Sequence, residues 1–279
     1  MTRPDMSARG SVPFTQDWQH FDLTVADRVA TITLTRPEKL NALTFDVYAD
    51  LREIFRQIPL RGDIDAVIIT GQGKGFCSGG DVDEIIGELL QFDARDLLEI
   101  TRMTGAVIQN MRECKVPIIA AINGTVAGAG AVIALASDFR LCVPTAKFRF
   151  LFTNVGLSGG DMGSAYLLPK LVGLGRATEI LMFGDPVIAE DAVTMGLANR
   201  VVQPESLMDE AMALARRIAD GPRFAYAATK LLLSREADMD LAGAIELEGM
   251  TQALLMNTAD HAEFHAAFHR GEAPNWTGR

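Results

Sequence analysis

The sequence predicts a mixed α/β fold, in which a layered body of strands and helices is followed by an α-helical C-terminal region. Two nearly all-apolar runs, at residues 66–71 and 116–124, are each followed by a glycine-rich loop and then by helical sequence. Strands buried on both faces are expected to be continuous apolar runs, and their alternation with helices is typical of an α/β layer structure. From Gly163 onward, apolar residues recur mostly at helical spacing, which predicts the helical region.

The first predicted elements are a hairpin and a helix. Residues 21–35 carry alternating apolar residues on either side of a turn at residues 26–28, which predicts two paired strands ended by Pro37. Residues 44–58 carry apolar residues at helical spacing, and Thr44 is the expected N-cap of that helix.

The middle of the chain repeats one order of elements. The strand at 66–71 is followed by a polar loop over residues 72–80 and then by acidic helical sequence from Asp81. The strand at 116–124 is followed by a helix and another strand, and the chain from Gly163 onward is predicted to be mostly helical. These later elements are a helix at 127–138, a strand at 139–143, and helices at 163–172, 175–183, 189–196, 206–219, 221–235, 240–256 and 259–269.

We therefore expect three parts: a flexible, polar N-terminal extension over residues 1–20, a core over residues 21–200, and a helical region over residues 201–279. Neither an internal repeat nor a low-complexity linker separates them in the sequence.

Composition excludes several classes of function. The 279 residues carry a net charge of −10, so nucleic acid and anionic membranes are not expected partners. No stretch reaches about 18 uninterrupted apolar residues, and residues 1–20 lack the apolar core of a signal peptide. The three cysteines are widely separated and without metal-ligand spacing, which suggests a reducing compartment. We therefore expect a cytoplasmic protein.

Two glycine-rich loops are candidates for a binding site. KGFCSGGD (74–81) alone could be a plain surface turn, and it is neither a P-loop nor a dinucleotide fingerprint. NGTVAGAGA (123–131) also lies between a buried strand and a helix, where small residues allow close approach and the first helical N–H groups are unpaired. Two such N–H groups converging on one carbonyl oxygen would form an oxyanion hole.

Several segments resemble the crotonase (enoyl-CoA hydratase/isomerase) superfamily, in the family's order. They are RPEKLNAL (36–43), AVIITG with GFCSGGD (66–81), KVPIIAAINGTVAGAGAVIALASDFRL (115–141) and GLSGGDMGSAYLLPKLVG (156–173). The resemblance covers roughly residues 20–270. It implies a crotonase-like spiral of ββα turns closed by a C-terminal helical region, and a homotrimer or homohexamer that associates through residues 201–279.

The resemblance also implies a site for an acyl-CoA thioester. The oxyanion donors would be the backbone N–H groups of Gly80 and Ala129, where the family pattern usually has glycine at the second place. The neighbouring Gly79 and Gly128 would line the thioester. Ser78 would offer its backbone carbonyl to the adenine, and Lys39 and Leu40 would line the CoA nucleotide. No separate cofactor is expected, since CoA is part of the substrate.

The catalytic carboxylates of the hydratases are missing. By resemblance, the two glutamates that activate water would lie near Val132 and Phe152, and neither position nor its immediate neighbours carries a carboxylate. Hydration needs a base for the water and an acid for the α-carbon. The sequence therefore does not support a standard two-glutamate hydratase.

Asp161 is the acidic residue of the apolar block at 156–173. DMGSAYLLPKLVG, which begins at Asp161, resembles dienoyl-CoA isomerases, in which this aspartate abstracts a proton from the acyl chain. The alternative is that Asp161 caps a helix beginning at Met162 or Gly163. We favour the acid/base role because a serine would cap equally well and the surroundings could raise a carboxyl pKa. The isomerase's second acid, expected near Phe152, is absent.

Other polar residues are weaker candidates. Tyr166 could reach the same pocket or be a buried structural tyrosine. By resemblance, Phe268 and Arg270 would close over CoA, with Arg270 contacting a phosphate. The stripe of His261, His265 and His269 is spaced like a metal face, but few carboxylates share its register and no metal is expected.

Four further residues are expected to be structural. Asp81 would cap its helix, and Asp138 and Arg140 would be scaffold groups at a helix–strand junction. Cys77 lies beside the site and could be a reactive thiol, but we favour an inert small residue.

We therefore predict an acyl-CoA enzyme that stabilises a thioester enolate, with Asp161 as its single acid/base in double-bond isomerisation or related chemistry. The alternatives left open are an enoyl-CoA hydratase, a CoA-thioester hydrolase or C–C lyase, and a catalytically dead CoA-binding relative.

Overall fold

The computed structural model describes residues 14–15 and 17–278. Most of the extension predicted over residues 1–20 therefore lies outside the described residues. Near the C-terminal end of this extension, Trp18 stacks on Phe21 with ring centroids 5.2 Å apart. His20 Nδ1 lies 2.7 Å from an Asp50 carboxylate oxygen.

The larger sheet begins with the predicted hairpin. Strands β1 (Asp22–Ala26) and β2 (Val29–Leu34) pair in antiparallel fashion. Asp27 and Arg28 form the turn with φ of 48° and 66°, as two-residue hairpin loops require. Four parallel strands extend the sheet in the order β1-β2-β3-β5-β7-β10, namely β3 (Ala66–Gly71), β5 (Ile118–Ile122), β7 (Phe139–Cys142) and β10 (Arg200–Val201).

A second, four-stranded sheet has the order β4-β6-β8-β9. Its strands are β4 (Gly75–Cys77), β6 (Thr125–Ala127), β8 (Lys147–Arg149) and β9 (Val187–Ile188). The stretch predicted as a loop over residues 72–80 therefore contains a strand, and the helix predicted over 127–138 begins only after β6. Strands of two or three residues are too short to show alternation in the sequence.

The helices complete the spiral. They are α1 (Phe45–Arg61), a π-helical turn (Val82–Ile86) continued by α2 (Gly87–Leu89), α3 (Ala94–Glu113), α4 (Ala129–Ala136), α5 (Ser164–Val172), α6 (Leu174–Phe183), α7 (Ala189–Thr194), α8 (Leu207–Ala219), α9 (Arg223–Glu236), α10 (Leu241–Met256) and α11 (Ala259–Arg270). In each turn of the spiral, the chain adds one strand to the larger sheet, then one strand to the smaller sheet, and then a helix. The runs β3-β4-α3, β5-β6-α4 and β7-β8-α5 confirm the predicted ββα spiral.

The predicted helices are also confirmed. Thr44 caps α1 by accepting the N–H of Val47, but α1 continues through Pro59 to Arg61, about one turn beyond the predicted end. All seven helices expected after Gly163 are present.

The core lies between the sheets and the helices. Every residue of β3 and β5 is buried, and α8 packs across both strands. Along the described parts of the chain, no helix combines the length and the apolar character that crossing a membrane requires.

Candidate active site

The first glycine loop is fixed by the segment that precedes α1. Ser78 donates its N–H to the Leu40 carbonyl at 3.0 Å, Leu43 donates to the Gly79 carbonyl at 2.8 Å, and Asp81 donates to the Leu43 carbonyl at 2.9 Å. These alternating bonds hold residues 78–81 along residues 40–43. The conformation of the loop therefore does not depend on a ligand.

Two asparagines that the sequence analysis missed hold the base of this loop. Asn41 is 1% exposed, and its amide donates to the carbonyls of Gln72 at 2.9 Å and Gly75 at 2.7 Å. Asn123 donates to the carbonyls of Gly71 at 2.8 Å and Gly75 at 3.1 Å. Both residues lie within the segments quoted for the family resemblance. Asn123 also follows the buried strand β5 directly, which was the signal available for it in the sequence.

The two glycine loops are in van der Waals contact. A methyl group built on Gly79 would lie 3.2 Å from the carbonyl oxygen of Ala127 and 3.5 Å from the amide nitrogen of Ala129. Gly128, the N-cap of α4, adopts a φ of 50° and donates its N–H to the Arg149 carbonyl at 2.8 Å. The second loop is thereby fixed against β8.

Gly80 and Ala129 carry backbone N–H groups that are free to bind a ligand. Within residues 14–15 and 17–278, neither N–H donates a hydrogen bond to the protein. Ala129 is the first residue of α4, whose eight residues are all buried, so its N–H lies at the positive end of the helix dipole. Two such donors from touching loops suit an oxygen that gains negative charge.

Asp161 precedes α5 without capping it. The helix begins at Ser164 with Gly163 as N-cap, and no side chain caps it. The Asp161 carboxylate instead accepts the N–H of Met162 at 2.9 Å, while the Asp161 N–H donates to the Ser164 hydroxyl at 3.0 Å. That hydroxyl donates to the Gly159 carbonyl at 2.7 Å. The helix-cap alternative is therefore wrong, and the carboxylate is held by a local network.

The surroundings of Asp161 favour its protonated form. Burial raises the pKa of this carboxyl, and the N–H of Met162 offsets part of the effect. In the described chain, no cation forms an ion pair with Asp161. A carboxyl with a raised pKa is better suited than an ordinary aspartate to exchange a proton with a carbon acid.

The two positions at which hydratases carry glutamate are apolar and buried. Val132 is 0% exposed within α4, and Phe152 is 8% exposed. Neither can activate water.

The residues expected to contact CoA lie on two adjacent segments. One is the first glycine loop, and the other is the segment of residues 36–43, which we call the strap. The Ser78 hydroxyl donates to the Lys39 carbonyl at 3.0 Å, and Leu40 is 39% exposed. Lys39 Nζ lies 3.2 Å from Asp83 and 3.9 Å from Asp81. The hydrogen bond to Asp83 and then the charge of Asp81 raise the pKa of Lys39.

Tyr166 lies at the surface, so the alternative of a buried structural tyrosine is wrong. It is 49% exposed, and its hydroxyl donates to Asp238, which follows α9. Lys170 also pairs with Asp238 at 2.9 Å. Its ammonium lies 3.6 Å from the centroid of the Tyr166 ring.

The remaining candidates lie on α11, which packs against α10. Phe268 is 72% exposed, and Arg270 pairs with Glu263 at 3.0 Å and Glu272 at 2.7 Å. The Nε2 atoms of His265 and His269 lie 3.1 Å apart. No set of three or more histidine, cysteine, aspartate or glutamate side chains within the described residues is arranged to hold a metal ion.

Asp81 has the predicted structural role. It caps the helical turn that follows it by accepting the N–H groups of Asp83 at 3.0 Å and Glu84 at 3.2 Å. Its own burial opposes ionisation, yet these bonds and the charges of Lys39 and Arg36 lower its pKa.

Asp138, Arg140 and Cys77 also prove structural. Asp138 accepts the N–H of Ile118 at 2.8 Å and pairs with the buried Lys230 at 2.7 Å. The Arg140 guanidinium donates to backbone carbonyls, and burial lowers its pKa to about 10. Burial raises the pKa of the Cys77 thiol to about 12, so the thiol stays protonated and unreactive near neutral pH.

Comparison with known proteins places these features in a family. The sequence model described as Enoyl-CoA hydratase/isomerase matches residues 24–279. The chain is 33% identical over 252 residues to the 1,2-epoxyphenylacetyl-CoA isomerase of Escherichia coli, covering 90% of this chain and 95% of the relative. It is 34% identical over 257 residues to the (E)-benzylidenesuccinyl-CoA hydratase of Thauera aromatica, covering 92% and 98%. A solved structure from Streptomyces coelicolor A3(2), assigned to the enoyl-CoA hydratases, superposes with a TM-score of 0.95 at 54% identity, covering 97% of this chain and 98% of that one.

Proposed function

The chain belongs to the enoyl-CoA hydratase/isomerase family and is an acyl-CoA enzyme, and we propose that Asp161 moves a proton on an acyl group whose thioester carbonyl is bound by Gly80 and Ala129. The observation that carries this proposal is a partly buried Asp161 carboxylate that accepts the Met162 N–H and has no cationic partner among the described residues, in a chain whose two expected glutamate positions are Val132 and Phe152. One carboxyl is enough to take a proton from one carbon and return it to another.

The proposed reaction is a shift of a double bond through an enolate. The Asp161 carboxylate takes a proton from a carbon of the acyl chain, and the electron pair of that C–H bond moves into the conjugated system. The thioester oxygen gains the negative charge, which the N–H groups of Gly80 and Ala129 stabilise. Protonated Asp161, whose side chain is only partly buried, exchanges its proton with water while the enolate is bound and then protonates another carbon of the chain. The carbonyl re-forms, and no atom is gained or lost.

A second candidate is hydration with Asp161 as the only carboxyl, favoured by the hydratase name of the Thauera aromatica relative. Incubation of enoyl-CoA thioesters in ¹⁸O-labelled water distinguishes the two. Isomerisation leaves the mass of the thioester unchanged, whereas hydration adds one labelled water.

The CoA moiety is proposed to lie along the strap and the first loop. The Ser78 carbonyl would accept from the adenine, Lys39 and Leu40 would line the nucleotide, and Gly79 and Gly128 would border the thioester. Phe268 and Arg270 would close over CoA, which requires Arg270 to exchange Glu263 and Glu272 for a phosphate. Tyr166 would reach the pocket of Asp161, which requires its hydroxyl to leave Asp238.

Replacement of Asp161 by asparagine tests the chemistry. The asparagine side chain would keep the acceptor for Met162 but could not take a proton, so Asp161→Asn should lower turnover by ~10²–10⁴-fold. Calorimetry should show that wild type and variant bind acyl-CoA thioesters equally, in the micromolar range or tighter. Asp93→Asn is the matched control, because Asp93 caps α3 and asparagine caps equally well. Full activity of Asp161→Asn would end the acid/base assignment.

The active form is proposed to be a homotrimer or homohexamer. Helix α10 has sixteen residues and not one of them is buried, although Leu241, Ile245 and Leu254 are apolar and 76%, 57% and 66% exposed. Apolar helix faces of this size are usually covered by a partner.

A further inference from the structure

Tyr48 has a hydroxyl group that the fold does not use. The residue lies on α1 and is 4% exposed, and the sequence analysis counted it only as part of the apolar face of that helix. Within the described residues, its hydroxyl makes no hydrogen bond, and it is not among the unpaired polar atoms sealed from solvent. A tyrosine hydroxyl at the end of a buried ring normally has a partner. The oxygen is therefore open to a partner that the described residues do not supply.

The hydroxyl lies beside the oxyanion site. A methyl group built on Gly80 would lie 3.8 Å from the Tyr48 oxygen. The ring is held firmly, since Thr44 caps α1 one turn earlier and the preceding Leu43 is bonded to the first glycine loop on both sides. Tyr48 and the Gly80 N–H are thus parts of one fixed assembly.

The charge state of Tyr48 suits a donor. Burial raises the pKa of its phenol, and the Cys77 thiol and the Asp161 carboxylate raise it further. The phenol therefore stays protonated near neutral pH. A protonated phenol can donate to an anionic oxygen but cannot compete with Asp161 as a base.

We propose that the Tyr48 hydroxyl is a third hydrogen-bond donor to the reacting acyl group, on the Gly80 side of the oxyanion hole. This assignment rests on the proposed function, because the oxygen it contacts is that of a CoA thioester enolate. Such an oxygen can accept more than the two bonds that Gly80 and Ala129 supply, and a bond to an anionic acceptor is among the stronger hydrogen bonds in proteins.

Acetoacetyl-CoA is a suitable probe, since its β-keto thioester ionises to an enolate that absorbs in the near ultraviolet. Titration of the bound ligand with pH should show an enolate fraction at least about tenfold lower in Tyr48→Phe than in wild type at the same pH, because a charged hydrogen bond is lost. Phenylalanine preserves the ring packing, so the thermal midpoint should change little. Tyr226→Phe removes a hydroxyl from α9 and serves as the matched control, with an enolate fraction equal to that of wild type.

The possible outcomes distinguish a failure of this inference from a failure of the proposed function. Equal enolate fractions in Tyr48→Phe and wild type would overturn the role of Tyr48 and leave the acyl-CoA function standing. Failure of wild type to bind acetoacetyl-CoA or any other CoA thioester would refute the proposed function and this inference together. If Tyr48→Phe unfolds early, incorporation of 3-fluorotyrosine, a stronger donor, should raise the enolate fraction. No increase would overturn the role in that case.

Discussion

Asp161 is the residue whose surroundings depart most clearly from a structural role. It has no cationic partner in the described chain, and burial raises its pKa. Only the ionised carboxyl can accept a proton, so kcat/KM should rise with pH through that raised pKa and level off above it. The acidic limb should disappear from the residual activity of Asp161→Asn. A limb that persists unchanged in the variant would assign the titration to another group.

The same shift predicts the effect of Asp161 on stability. A carboxyl with a raised pKa binds its proton more tightly in the folded protein than in the unfolded chain. Its contribution to stability is therefore greatest at low pH and is lost as pH rises through the raised pKa. At neutral pH the cost of burying the ionised carboxylate destabilises the folded protein. Asp161→Asn removes that charge, so its thermal midpoint at neutral pH should equal or exceed that of wild type. A decrease of several degrees, compared with Asp93→Asn, would mark Asp161 as structural.

Sequence reasoning identifies residues whose role depends on their neighbours in the chain. Gly80, Ala129 and Asp161 lie in motifs that can be found without a structure. Asn41 was missed because the carbonyls that it binds lie 31 and 34 residues further along the chain. Tyr48 was missed because Gly80, which lies beside its hydroxyl, is 32 residues further along the chain. The sequence around each residue carries no sign of these neighbours.

The close approach of α4 to β4 sets the position of the Ala129 N–H in the proposed oxyanion hole. A methyl group on Gly130 would lie 2.4 Å from the Cys77 carbonyl oxygen and 2.6 Å from its Cβ, so α4 would have to move. Gly130→Ala should cost about 1–3 kcal/mol of unfolding free energy by overpacking and should reduce turnover by displacing the Ala129 N–H. Gly105→Ala is the control, because its methyl meets nothing within 4 Å and should stabilise α3 by about 0.5–1 kcal/mol. Similar effects of the two changes would contradict this account.

The attachment of α9 to the core depends on a buried ion pair. Lys230 is 6% exposed and lies 2.7 Å from Asp138 and 3.0 Å from the Val116 carbonyl. Lys230→Met leaves Asp138 with the Ile118 N–H and the more distant Arg112 at 3.4 Å, so chemical denaturation should show a loss of about 3 kcal/mol of unfolding free energy. Lys170→Met breaks an exposed pair and should cost less than about 1 kcal/mol. Equal losses of unfolding free energy would show that the buried pair stabilises the protein no more than the exposed pair does.

Element length decides what sequence patterns can predict. The strands β3 and β5 and the helices after Gly163 were predicted because each extends over enough residues to show its apolar pattern. The smaller sheet was missed, since none of its four strands exceeds three residues and its pairing joins segments that are far apart in the chain. The spiral of ββα turns was predicted from the family resemblance, because periodicity alone does not indicate it.

For the whole molecule, the exposed apolar surface of α10 predicts an oligomer. Light scattering should give about three or six times the chain mass of 30.2 kDa. The double change Leu241→Glu with Leu254→Glu should reduce the mass, because charge would be buried in the interface. Leu90→Glu is the control, as Leu90 is 80% exposed outside the C-terminal helices. A monomeric wild type would contradict the proposed assembly.

The central claim is that Asp161 exchanges a proton with the acyl group of a bound CoA thioester. The most direct test is deuterium incorporation into that acyl group, followed by mass spectrometry, with saturating thioester in deuterated water. Wild type should label the acyl carbon quickly, and Asp161→Asn should label it at least about 100-fold more slowly while binding the thioester equally well. Equal labelling rates in the two proteins, or no labelling by a wild type that binds the thioester, would contradict it.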